Sequence, residues 1–272
     1  MTYTPKIMPM DSEQLRKMQL IELELLLEVD RICRKHNIKY NICGGTLIGA
    51  KRHGGFIPWD DDIDVRMLRK EYVKFKEACK DELDHENFFL QDFDSDKKYR
   101  WGYAKMLKRN TVYVRTGQED LGMKNGIYMD ILISDGIPDN KYVARLHNAI
   151  CFAIRKILWA PVGSKVSEKR GLRIWYKLLS FVPRAIPVAM INSLAKHYSD
   201  ENCDCLRALT FPQKRGLKKE WFNELEEISF EGHMVYAPKD AEGWLRQEYG
   251  DYMKMPPVEK RVSHSPASYY EF

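Results

Sequence analysis

The 272-residue chain has no uninterrupted apolar run long enough to cross a bilayer, because Arg155 and Lys156 break the apolar stretch 143–160 well short of about 20 residues. It opens without an apolar leader, since residues 1–10 carry Lys6 and two prolines, so no signal peptide is expected and a cytoplasmic location is. The six cysteines include no C-x-x-C pair, which argues against a zinc knuckle or redox motif and fits reduced intracellular thiols. Cys203 and Cys205 after His197 have the wrong spacing for a zinc set. Acids are scarce between residues 141 and 184, where Glu168 alone faces ten Lys and Arg, whereas the whole chain carries only +5. The basic character is therefore local, and an anionic partner is expected there. No nucleic-acid-binding motif accompanies it, so nucleic acid is not the expected partner.

At 44% hydrophobic the sequence can bury a substantial core. Residues 11–37 read as one long helix, with Asp11 and Gln14 spaced as a capping box and Leu15, Met18, Ile21, Leu25, Val29 and Ile32 at helical intervals.

The densest chemistry lies in residues 44–65, GGTLIGAKRHGGFIPWDDDIDV. Residues 38–42 read as a strand. Gly44 and Gly45 let backbone N–H groups approach a phosphate, and residues 46–52 read as a helix whose N-terminus favours that anion. Thr46, Lys51 and Arg52 are candidate phosphate contacts. Residues 60–65 alternate acid and apolar, as a half-buried strand does, placing Asp60, Asp62 and Asp64 on one face. Clustered carboxylates are costly without a counter-charge, and hard oxygen donors suit Mg²⁺ or Mn²⁺.

This segment resembles the LicD family of bacterial phosphorylcholine transferases, related to the fukutin-like enzymes. Residues 250–264 also look like that family's C-terminal signature. The resemblance implies an α+β, nucleotidyltransferase-like mixed sheet with flanking helices, with Asp62 and Asp64 as the metal-binding pair and Asp60 as a further ligand. It also implies a third carboxylate on a later strand, for which Asp130, inside the apolar run 127–133, is the choice. Catalysis would then rest on Asp62, Asp64 and Asp130, all three also metal ligands. The donor would be CDP-choline and the acceptor a sugar of teichoic acid or another lipid-linked surface glycan, met at the inner face of the membrane.

Residues 88–93, 99–106 and 111–115 have strand composition and are expected to complete the sheet. Lys105, Lys108 and Arg109 are candidate phosphate or nucleotide contacts, with an ordinary basic hairpin as the alternative. Trp59, Trp101, Tyr103 and Tyr128 either pack in the core or form a face for a quaternary ammonium. Asp135 reads as a turn residue. Arg261 and His264 are candidates to close over the nucleotide phosphates.

On a helical wheel, residues 143–160 put Arg145, Asn148, Arg155 and Lys156 on one narrow face, and residues 172–182 repeat the pattern. Both fit helices lying in a membrane interface, or a buried hairpin with its basic residues in water. The expected organisation is a catalytic domain over 1–140, a basic amphipathic helical region over 141–215 and a segment over 216–272 that returns to the active site. Residues 221–228 read as helix, 230–236 as a strand pair and 241–249 as helix. A nucleotidyltransferase, a transferase of another CDP-alcohol and a non-catalytic polyanion-binding membrane protein remain the alternatives.

Overall fold

The computed structural model describes residues 6–211, 216–263 and 265–272. The first half runs α1 (Ser12–Lys35), β1 (Asn41–Ile42), α2 (Gly44–His53), β2 (Asp64–Leu68), α3 (Arg69–Glu82), β3 (Phe88–Gln91), β4 (Ala104–Lys108), β5 (Val112–Arg115) and β6 (Tyr128–Gly136). Three helices follow, α4 (Lys141–Val166), α5 (Arg170–Leu179) and α6 (Ala185–His197). The remainder is β7 (Cys205–Arg207), β8 (Leu217–Lys218), α7 (Glu220–Asn223), β9 (Leu225–Phe230), β10 (His233–Pro238), α8 (Ala241–Tyr249) and β11 (Ala267–Glu271).

The fold is α+β, a mixed sheet with flanking helices. Among the described residues the main sheet runs β1-β2-β6-β4-β3, and β7 and β8 continue it from the far end of β6. Only β2 and β6 pair in parallel; the other pairs are antiparallel. All nine residues of β6 are buried, as a strand with neighbours on both edges requires. Against the sheet lies α1, started by the capping box in which Asp11 Oδ1 accepts the Gln14 N–H (2.8 Å) and Gln14 Oε1 accepts the Asp11 N–H (3.0 Å). Its Leu25, Leu26, Val29 and Ile32 are fully buried, each worth about 1.5–3 kcal/mol of apolar transfer.

Several sequence expectations need correction. The strand expected at 60–65 begins only at Asp64; residues 60–63 form a loop, held because the Asp60 N–H donates to Ile57 O (2.9 Å) and Asp61 Oδ2 accepts the Ser265 N–H (2.9 Å). β5 does not join the main sheet but pairs with β11 from the C-terminus. Asp135 lies inside β6, where its carboxylate receives the Arg69 guanidinium at 2.7 Å. Residues 225–228 are strand rather than helix, because β9 and β10 form a hairpin around Glu231 and Gly232, both at positive φ.

The helical region also differs from its sequence pattern. α4 turns His147, Cys151, Ile154 and Leu158 inward against Ile191 and Ala195 of α6. Much of the apolar arc on 143–160 is therefore protein core. On α5, by contrast, Leu172, Ile174, Trp175 and Leu178 remain exposed, as does Phe181 just beyond it. Among the described residues no helix is long and apolar enough to cross a membrane.

Candidate active site

Strand register creates the site. Asp64 of β2 lies directly beside Asp130 of β6, and Asp130 lies directly beside Lys105 of β4. Register partners on neighbouring strands stand about 4.8 Å apart and point to the same face. The three side chains thus form a row across three strands. The Lys105 ammonium bonds to Asp130 Oδ1 and sits over the Tyr128 ring, 3.2 Å from its centroid. Asp62 reaches the row from the preceding loop and feels Asp130 directly.

The N-terminus of α2 abuts the Asp64 end of this row. Cys43, the N-cap, offers no side-chain cap, so the helix begins on the backbone of Gly44 and Gly45, two residues earlier than expected. A Cβ on Gly45 would lie 2.5 Å from Asp60 Oδ2, and one on Gly44, whose φ is +59°, would lie 3.2 Å from Asp64 Oδ2. The glycine pair lets two carboxylates reach the positive end of the helix dipole. Thr46 faces the same strand, its Oγ1 accepting the Asp64 N–H at 2.9 Å.

Burial and like charge set the electrostatics. The Asp62 carboxyl is pushed up to about 7 by burial and then by Asp60, Asp61 and Asp130. Burial, then Asp62 and Asp130, push Asp64 well above the carboxylate range. Burial pulls the Lys105 ammonium down, and Asp130 opposes that shift. Opposite the acids stands Arg115, held protonated by the field of Tyr128, Tyr103, Asp130 and Asp62. Glu22 of α1 also faces the cluster; burial and then the four aspartates of the 60–64 segment push its carboxyl well above the usual carboxylate range. Buried Arg66, two residues along β2 and so on the same face, lowers Asp64 and lies 5.5 Å from the Trp244 ring centroid.

The acids offer only oxygen donors, the chemistry that Mg²⁺ or Mn²⁺ takes. Among the described residues no three acid, imidazole or thiol side chains close around one point. An ion held by Asp62 and Asp64, with Asp130 alongside, would therefore complete its shell with water and substrate phosphate, the usual magnesium arrangement.

The other expected contacts divide. Arg52 lies near Asp60 and Arg261, donating to Tyr252 O (2.8 Å), and the Arg261 guanidinium covers the Trp59 ring at 5.3 Å. Lys51 points instead toward Glu226, 4.0 Å away. Lys108 pairs with Glu24 at 2.8 Å, and Arg109 donates to Phe88 O at 3.1 Å. Both line a separate hollow with Phe89 and Lys124, away from the carboxylates. The reason is strand periodicity: positions 105 and 108 of one strand face opposite sides. His264 lies outside the described residues. The four aromatic residues do not gather on one face: Arg261 covers Trp59, Tyr128 and Tyr103 flank the Lys105 ammonium at 3.2 and 5.6 Å, and Trp101 with Tyr103 lines an adjoining cavity.

Arg115, Arg66 and Glu22 were not singled out by the sequence. Arg115 carries no local signal, because the strand that pairs with β5 lies about 150 residues downstream. Glu22 sits one position from the apolar Ile21 and Leu23 of α1, a hint that its side of the helix is buried.

A glycine-started helix packed on adjacent acidic strands is the layout of a nucleotidyltransferase-type phosphotransferase. Residues 37–133 match the family model of the LicD/FKTN/FKRP nucleotidyltransferase domain, the span that carries α2, Asp62, Asp64, Lys105 and Asp130. The lipopolysaccharide cholinephosphotransferase LicD of Haemophilus influenzae is 33% identical over 261 residues, covering 92% of this chain and 95% of that protein. An uncharacterized protein of Rickettsia typhi is 39% identical over 98 residues, 36% of this chain and 26% of its own length. The chain belongs to the LicD family and is a phosphotransferase, which sets aside the non-catalytic alternative.

Gly45→Ala is expected to cost about 1–3 kcal/mol in urea unfolding, because the new methyl collides with Asp60. In an Asp60→Ser background the same change should cost at least about 1 kcal/mol less. Equal costs in the two backgrounds would show that the glycine is not there to admit Asp60.

Proposed function

We propose that the enzyme transfers phosphocholine from CDP-choline to a sugar hydroxyl of a lipid-linked surface glycan, of lipopolysaccharide or teichoic acid type, and releases CMP. The observation that carries it is the Asp64–Asp130–Lys105 row beside the start of α2, in a chain similar along nearly its whole length to a lipopolysaccharide cholinephosphotransferase.

The sugar oxygen attacks the choline-bearing phosphorus, a new P–O bond forms, and the bond from that phosphorus to the CMP phosphate breaks. Asp130, its carboxylate fixed by Lys105, orients the hydroxyl and takes its proton. The start of α2 at Gly44 and Gly45, where no Cβ stands in the way, meets phosphate oxygens of the donor. Arg52 and Arg261 stand near Asp60 at that end to meet the nucleotide phosphates. Arg115 and Lys105 supply fixed positive charge where negative charge spreads over the transferring group. Bound magnesium or manganese neutralises the diphosphate, and Asp62 and Asp64 are the residues that would hold it.

Delivery of a lipid-linked acceptor is consistent with α5. Its exposed Trp175 and Leu178 alternate with Arg173 and Lys177, and Lys169 and Arg170 precede them. Such a face suits the anionic inner surface of the cell membrane, to which the enzyme would bind peripherally from the cytoplasm.

Incubated with Mg²⁺, a choline-free glycan acceptor and a panel of CDP-alcohols, the protein should release CMP from CDP-choline in preference. Asp64→Asn should lower that rate by roughly 10³-fold or more, since several kcal/mol of charge stabilisation is removed, with no loss of thermal stability. Preference for another CDP-alcohol would overturn the donor, and full activity of Asp64→Asn would overturn the site. Independently, Trp175→Glu with Phe181→Glu should weaken binding to phosphatidylglycerol vesicles about tenfold or more. Unchanged vesicle binding would reject the membrane face.

A further inference from the structure

A cavity of about 270 Å³ is lined in part by Tyr103, which leads into β4, and by Arg115, both of which interact electrostatically with Asp130. The sheet order fixes this geography. β2, with Asp64 against Gly44, lies on one side of β6, and β4, just after Tyr103, lies on the other. Tyr103 and Arg115 are shared between the cavity and the catalytic row.

The lining combines flat aromatic rings with positive charge. Trp101 at its wall and Trp159 of α4 stand with ring centroids 5.6 Å apart, tilted by 37°. Arg115, Arg155 and Lys156 also line it. Arg155 and Lys156 lie over the exposed Phe152 ring at 5.3 and 5.0 Å, and among the described residues neither forms an ion pair with an acid. Burial and then Arg207 pull the Arg155 guanidinium down, as happens where positive charge lacks an anion. Thr210 supplies an independent sign of a ligand: the residue lines the cavity, and its buried hydroxyl has no hydrogen-bond partner among the described residues. Gly102 lets the wall come this close, since a Cβ there would lie 2.2 Å from Thr210 Oγ1.

These features select among the reactants. A choline headgroup is repelled by three cations. The donor's nucleotide belongs at the other end, because in-line displacement puts the departing CMP opposite the entering oxygen. Sugar rings lay their apolar faces on indole, their hydroxyls need partners such as Thr210, and phosphate suits arginine and lysine. We infer that this cavity binds a phosphate-bearing sugar of the acceptor, placing its free hydroxyl toward Asp130. The assignment rests on the phosphocholine-transfer reading for the direction of attack. It implies that the acceptor reaches the enzyme after a reaction that has already phosphorylated the glycan. Lys156 also lies 5.7 Å from the ring centroid of Tyr176 on α5, so the cavity wall is continuous with the helix whose outer face is apolar and basic.

Binding can be measured without turnover. Glucose 6-phosphate and N-acetylglucosamine 6-phosphate, titrated into the full-length protein, should quench tryptophan fluorescence saturably, and glucose should bind at least about tenfold more weakly. Arg155→Gln with Lys156→Gln should weaken the sugar phosphates about tenfold or more, the loss of about 1.4 kcal/mol, and leave the CMP affinity and the thermal midpoint unchanged. In the transfer assay the same variant should raise the acceptor KM and not the CDP-choline KM. No saturable sugar-phosphate binding, equal binding by the variant, or displacement of the sugar phosphate by phosphocholine or CMP would each overturn the assignment. Failure of CMP release with intact sugar-phosphate binding would instead fault the donor.

Discussion

Two aspartates in register across a parallel strand pair impose the rest of this structure. Asp64 and Asp130 are neighbours because β2 and β6 pair as they do, and a slip of one residue would turn one of them to the opposite face. Placing carboxylates on adjacent strands about 4.8 Å apart in a largely buried site is expensive. The surroundings answer with Lys105 in register, the charge of Arg115, Arg66 two residues along β2 and the positive end of α2. What remains uncompensated shows as the upward shifts of Asp62, Asp64 and Glu22, driven first by burial and then by their like-charged neighbours. On the proposed mechanism this clustered acidity would draw a divalent ion to the diphosphate of the donor.

The distant parts of the chain serve to hold that row in place. Ser265 ties the C-terminal segment to Asp61, and Tyr113 of β5 donates to Ser265 O at 2.7 Å, so the β5–β11 pair braces the acidic loop. Gln19 of α1 donates to the Asp60 carbonyl at 3.0 Å from the opposite side. α4 contributes one wall of the cavity that Tyr103 and Arg115 share with the carboxylate row, so on the inference above the basic helical region serves acceptor binding as well as packing.

How much was legible in the sequence follows from how local each signal is. The Gly44–Gly45 pair, the buried strand around Asp130 and the capping box of α1 are written in neighbouring residues, and each forms an element where expected or close to it. The loop at 60–63 was read as strand because alternation alone cannot register that consecutive aspartates disfavour a strand and cap other backbone groups instead. Lys108 and Arg109 were grouped with Lys105 by proximity in sequence, although a spacing of three on a strand reverses the face. Arg115 and the β5–β11 pair depend on a contact across about 150 residues, which no local pattern encodes. The apolar arc of α4 looked like a membrane face because a helix buried against α6 and a helix laid on lipid share one periodicity.

The most direct measurement is a crystal structure grown with CDP-choline and Mn²⁺, using the anomalous signal to place the metal. The account predicts a manganese peak between the Asp62 and Asp64 carboxylates, bridged to the donor's diphosphate at the start of α2, with Asp130 facing the choline-bearing phosphorus. A peak elsewhere, or a donor bound with Asp130 turned away from that phosphorus, would contradict it.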